Sequence, residues 1–256
     1  MRRALLPLLI LGCVAIAAAL AWLTLDHARM PRVPAASTAA TLQTRSLPPF
    51  HRIEVGGVAD VTLVQGDAES VEMSVPAGGT PVDAAVRNGS LVVAGRDRPR
   101  TWFWLFGSGS KEPASRITIR FRTLDAIALS GAVKLDAGTL RAHTLEIAAS
   151  GGSSLRIGQL DAERLRVAGS GALDAKIAGR VVDETVAISG AGSYRAGGLH
   201  ADHASVDVSG IGSVVVDADK TLRATISGAG SIEYLGDPRV SQHVSGIGSV
   251  RRRPSA

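Results

Sequence analysis

From residue 127 onward the apolar positions recur every second residue. Ile127 and Leu129, Ile147 and Ala149, Leu165 and Val167, Val186 and Ile188, Val206 and Val208, and Ala224 and Ile226 each lead into a glycine-rich phrase, and Gln242 and Val244 hold the same places before the last one. Beyond the phrases stand Leu135, Leu155, Leu173, Tyr194, Val214, Ile232 and Val250. A period of two puts alternate side chains on one face, which is the signature of a strand; a helix needs steps of three and four, which these segments lack. The β-branched residues at many of these positions suit a pleated surface.

The phrases are SGAVK at 130–134, SGGSS at 150–154, AGSGA at 168–172, SGAGS at 189–193, SGIGS at 209–213, SGAGS at 227–231 and SGIGS at 245–249, with GGVAD at 56–60 as a remote relative. Their starts lie 20, 18, 21, 20, 18 and 18 residues apart. A unit of that length cannot bury its own apolar face, but stacked units can, with each strand pairing to its equivalent in the next coil. The expected fold is all-β: a parallel β-solenoid of about 18–21-residue coils over 127–250, an irregular β part before it, and an N-terminal hydrophobic helix. Gly131, Gly151, Gly169, Gly190, Gly192, Gly210, Gly212, Gly228, Gly230, Gly246 and Gly248 are expected as structural corners, where the missing Cβ permits positive φ. The adjoining serines are small enough for coils to stack and can satisfy backbone groups at the corner. A phosphate-binding loop occurs once, between a strand and a helix, so the recurrence itself argues against that role.

Upstream, FHRIEVGGVADVTLVQGDAESVEMSVP alternates as strands with a turn at Gln65–Asp67. VDAAVRNGSLVVAG predicts a hairpin about Asn88-Gly89, and RITIRF at 116–121 another strand. This order, RIEV…VADVTLVQGDAESVEMSV, NGSLVV, RITIRFRTLDAIALSGA and then serial SGAGS phrases, resembles the putative auto-transporter adhesin, head GIN domain family, over residues 50–250. The resemblance implies an exported bacterial β-solenoid with an adhesin-like role, and it supplies no catalytic residues.

Composition agrees with a narrow core: 45% of residues are hydrophobic but only 4% aromatic, and 29 are glycine. Arg2 and Arg3 precede an apolar run from Ala4 to Leu25, long enough as a helix to cross a bilayer of about 30 Å. Residues 1–27 are therefore expected to be a signal peptide or a signal-anchor membrane segment, with the remainder exported to the periplasm or the outside of the cell envelope. Small residues at Ala17 and Ala19 permit cleavage, and Cys13 after LILG faintly resembles a lipoprotein acceptor, although the apolar run continues past it. Cys13 is the only cysteine, which excludes an intramolecular disulfide. Residues 28–49, with Pro31, Pro34, Pro48 and Pro49, read as a linker. The net charge of +5 is matched by Arg2 and Arg3 at one end and Arg251, Arg252 and Arg253 at the other, so the body is near neutral and nucleic acid is not an expected partner. The basic tail 251–256 could touch anionic lipid or polysaccharide, a solvated tail being the simpler reading.

Candidate chemistry is sparse. TWFWLFGSGS places Trp102, Phe103, Trp104 and Phe106 in a polar, turn-rich stretch. They are either an exposed contact for an envelope glycan, protein or lipid, or a loop folded over an open solenoid end. His200, Asp202 and His203 form the only compact histidine cluster, without the ligand set of a structural zinc site, and no metal or cofactor is expected. An enzyme acting on polysaccharides would draw on Asp136, Asp161, Asp174, Asp183, Asp207 and Asp217, of which Asp136 and Asp174 share a repeat position by phrase alignment. No acid–base pair emerges from the sequence. The expectation is a non-enzymatic envelope module with a binding or structural role, the polysaccharide-active enzyme being the alternative.

Overall fold

The computed structural model describes residues 41–76, 82–95 and 114–254. The N-terminal apolar segment, the linker as far as residue 40, and Trp102, Phe103, Trp104 and Phe106 lie outside the described residues. Residues Ala39–Ala256 form one compact unit.

Among the described residues every regular element is a strand: β1 Thr41–Ser46, β2 Arg52–Gln65, β3 Ser70–Val75, β4 Val82–Arg87, β5 Ser90–Gly95, β6 Ser115–Phe121, β7 Ala126–Gly169, β8 Ala172–Ile188, β9 Ala191–Val208, β10 Ile211–Ile226, β11 Ala229–Leu235, β12 Arg239–Val244 and β13 Ile247–Arg252. The fold is the parallel β-solenoid. β7 pairs in parallel with β8, β8 with β9, β9 with β10, and β10 with β11 and β12; β13 then follows β11. The long strands run through the corners, which is why β7 extends over 44 residues.

The alternation read from the sequence becomes a set of inward columns. Ile53, Ile127, Ile147, Val167, Val186, Val206 and Ala224 stack in one, and all are buried. Burying each larger aliphatic side chain contributes about 1.5–3 kcal/mol, which is what offsets the entropy of ordering so extended a chain.

The stack also begins earlier than the phrase spacing indicates. β2 forms a full coil against β7, with Gly57 in register with Gly131, so GGVAD is a true member of the series. β5 and β6 together make the coil on its other side: β5 pairs with Arg52–Gly56 and β6 with Ala59–Gln65. Sequence order and stacking order therefore differ here, since β2 precedes β5 in the chain but lies inside it in the stack. The outer edge of this coil is closed by antiparallel strands, β4 on β5, β3 on β6 and β1 on β3. β3 consequently does not fold back on β2 after the Gln65–Asp67 turn; β6 lies between them. β1 falls inside the stretch read as linker and ties its end into the sheet. The Asn88-Gly89 hairpin is present, with both residues at positive φ (50° and 75°) as a tight two-residue turn between twisted strands requires.

Candidate binding surfaces

The glycine corners form a column, but positive φ explains only its beginning. Gly57, Gly131 and Gly151 have φ of 96°, 99° and 86°. At Gly190, Gly210, Gly228 and Gly246 φ lies outside the left-handed region, and the requirement there is contact. A Cβ on Gly210 would overlap the carbonyl oxygen of Gly190, and one on Gly228 that of Gly210. Gly169 is not in this column: its place is taken by Gly171, whose neighbour Ser170 bonds back to the Ala149 carbonyl. The phrase starts in register are then 130, 150, 170, 189, 209, 227 and 245, a more even spacing than the letters alone give. Gly192, Gly212, Gly230 and Gly248 make a second column two residues on. Serines beside the corner donate to carbonyls of the preceding coil, Ser130 Oγ to Val55 at 3.4 Å, Ser150 to Leu129 at 3.2 Å and Ser189 to Gly169 at 3.3 Å.

Along this corner face runs a shallow groove of about 430 Å³, floored by Ala128, Ala148, Ala168 and Ala187 and by the serines next to them. Its outer end is lined by Val92, Val93 and Ala94. Gly95 is the last described residue before the segment that carries the four aromatics, and the next described residue is Ala114, ahead of β6. In every other coil this span is a short glycine corner; here it holds residues 96–113.

The histidine cluster does not converge. His200 Nδ1 meets Asp217 Oδ2 at 2.6 Å, Asp202 accepts from Lys220 Nζ at 2.7 Å, and His203 Nδ1 contacts Thr221 Oγ1 at 2.8 Å. Each reaches the next coil separately, and among the described residues no group of three or more metal-ligating side chains occurs. The aspartates also separate. In register Asp136 aligns with Arg156 through the twenty-residue coil, while Asp174 aligns with Ser154, so phrase alignment had put them together wrongly. Asp161 and Asp217 do share a column, but Arg180 and His200 stand between them. Asp183 aligns with Arg164, and Asp207 with Thr225.

One polar pair was missed by the sequence reading. Glu184 occupies an inward column between Leu165 and Ala204 and is 1% exposed. Tyr194, in an inward column on the other side of the corner beside Ala175, donates its hydroxyl across the core to Glu184 Oε1 at 2.6 Å. The small Ala175 and Ala204 leave the room these two side chains fill. Burial pushes the Glu184 carboxyl up to about 8, against the lowering effect of the Tyr194 hydrogen bond and with a further rise from Asp217. Burial, reinforced by Glu184, raises the Tyr194 hydroxyl as well. Glu184 Oε2 has no hydrogen-bond partner among the described residues.

Solved structures share the fold. A "putative adhesin" from Bacteroides fragilis NCTC 9343 superposes with a TM-score of 0.76 at 23% identity, covering 85% of this chain and 98% of its own. A "putative adhesin" from Parabacteroides merdae ATCC 43184 gives 0.62 at 20% identity, and a "putative lipid binding protein" from Parabacteroides distasonis ATCC 8503 gives 0.65 at 18%, both with the same coverage of 85% and 98%. At these identities the likeness establishes architecture alone. No curated protein matches the chain. Residues 49–238, from β2 through β11 with most of the glycine column, match one family along their length, and the chain belongs to it: the putative auto-transporter adhesin, head GIN domain family.

Proposed function

We propose that this protein is an exported, non-enzymatic module of the cell envelope that binds a surface partner in the manner of an adhesin. The observation that carries this reading is a juxtaposition. The groove of small side chains ends at Val92, Val93 and Ala94, and the sequence stretch with the four aromatics follows Gly95, the last described residue of that strand. A rigid face of stacked strands is a pre-organised support, and Trp102, Phe103, Trp104 and Phe106 are the large aromatics proposed to supply the contacts. Family membership supports the adhesin-like role. The partner is an envelope glycan, protein or lipid, and the apolar run at Ala4–Leu25 would deliver the solenoid across the membrane or hold it there.

The test is binding of the full-length protein in mild detergent to glycan arrays, liposomes and envelope extracts, with a Trp102→Ala/Trp104→Ala double variant alongside. Lost binding with unchanged thermal stability is the expected result. Binding that survives the double change removes the aromatic segment from the proposal. Turnover of a glycan, abolished by substituting one of the aspartates, would establish the enzyme instead.

A further inference from the structure

After the glycine corner, the outward side chains of successive coils include an unusual ladder. Arg156 is in register with Lys176, and Lys176 with Arg195. The same column continues through Val215 and Glu233 to Arg251. Neighbouring strands lie about 4.8 Å apart, so three cations stand directly opposite one another, an arrangement that costs stability. Asp136 and Asp174 offset part of that cost by pairing with Arg156 and Arg195. Lys176 has no acidic partner among the described residues.

The column ends in a cleft of about 570 Å³, lined by Ser193, Arg195, Ser213, Arg251, Arg252 and Arg253, with Glu233 among them. The terminal arginines are not a free tail: Arg251 and Arg252 belong to β13, and the Arg253 amide donates to the Tyr234 carbonyl at 2.8 Å. Arg252 pairs with Asp237 at 3.1 Å and Arg253 lies 3.7 Å from Glu233, whereas Arg251, in register with Glu233, makes no ion pair among the described residues. The arginine side chains here are more than half exposed where paired, so their forks remain open to a further acceptor.

We infer that this face is a binding site for an anionic polysaccharide, lying along the Arg156–Lys176–Arg195 ladder and ending in the Arg251 cleft. Guanidinium forks match carboxylate and sulfate oxygens bidentately. Ser193 and Ser213 offer hydroxyls to sugar hydroxyls between the cations. Among the described residues the cleft is lined by no aromatic ring on which a base could stack, and it is a recess at the end of a ladder, which suits a linear polymer better than a bilayer plane. The site goes beyond the role proposed above and makes no use of the aromatic segment, so the two fail separately.

The test titrates the full-length protein in mild detergent with polygalacturonate, heparin, neutral dextran and phosphatidylglycerol vesicles. An acidic polysaccharide should bind and dextran should not, with affinity falling as salt screens the charges. Arg195→Ala/Arg251→Ala should lower that affinity about tenfold or more, as loss of charge-assisted hydrogen bonds implies. Arg195→Lys/Arg251→Lys, which keeps the charge and the paired Asp174, should lower it less and serves if the alanine variant does not fold. Arg166→Ala/Arg223→Ala removes equal charge from the strand segment before the corner and should change nothing. The site is overturned if neither acidic polysaccharide binds, if the Arg195/Arg251 variants bind as tightly as the parent, if the control pair loses as much, or if only the vesicles bind.

Discussion

At Gly210 a missing side chain decides whether two coils can touch. The Gly190 carbonyl oxygen occupies the space a Cβ would need, so any larger residue must push the coils apart against a hydrogen-bonded ladder. Gly210→Val should cost about 1–3 kcal/mol through overpacking, measured as a lowered urea midpoint. An unchanged midpoint would mean that the coils separate freely and the column is not needed. Glu184 is the opposite case, a polar group placed where an aliphatic belongs. Its carboxyl is raised from 4.5 unfolded to about 8 folded, so the folded state holds the proton more tightly. Stability from this group is complete below about pH 4.5 and is lost as pH rises through about 8, because ionisation then leaves a buried charge. Glu184→Gln still accepts the Tyr194 hydroxyl but cannot ionise. Its melting temperature should hold steady between about pH 4.5 and 8 while the parent's falls across that range. Parallel pH profiles for the two proteins would show that Glu184 does not carry the dependence.

Among the elements, the two ends of the solenoid are built differently. The β5–β6 coil is covered by β3 and β4 in antiparallel pairing, whereas β12 and β13 each have a single neighbour, β10 and β11. Val240 and Val244 in β12 are 38% and 39% exposed, while Leu222 and Ile226, one coil below, are 1% and 0%. Gln242 sits in the inward column where Ala224 stands below it, and a polar residue there weakens continued stacking, as protected edges do. Hydrogen exchange should therefore be fastest in β12 and β13 and slowest in the β7–β10 coils, where each strand is paired on both sides. Equal protection of β12 and β9 would show that something covers this end in solution.

For the whole molecule, the adhesin family supports a surface or envelope location, and export through the apolar run at Ala4–Leu25 is the proposal to be tested. In intact cells, an external protease admitted past the outer barrier should digest the solenoid-bearing chain while a cytoplasmic marker survives. Full-length protein recovered from the soluble cytoplasm would contradict export. The solenoid itself is close to one-dimensional, each coil resting on its two neighbours, so faces rather than pockets are what it offers a partner.

Period-two alternation and the recurring SG phrase were enough, by themselves, to determine an all-β solenoid, its coil length and most of its inward residues, because strand period and repeat spacing are properties of the chain taken locally. The Asn88-Gly89 hairpin was legible for the same reason. Four matters needed the tertiary structure. The place of β5–β6 outside β2 depends on pairings between distant segments that no local pattern encodes. The choice of Gly171 over Gly169 as the corner depends on register, since AGSGA offers two glycines and only the coil beneath selects one. Glu184 broke the inward pattern two residues before Val186, a signal visible in the letters, but its meaning came from Tyr194 reaching it across the core. The cationic ladder was hidden because Arg156, Lys176 and Arg195 are scattered through a near-neutral sequence, and stacking alone brings them into one row.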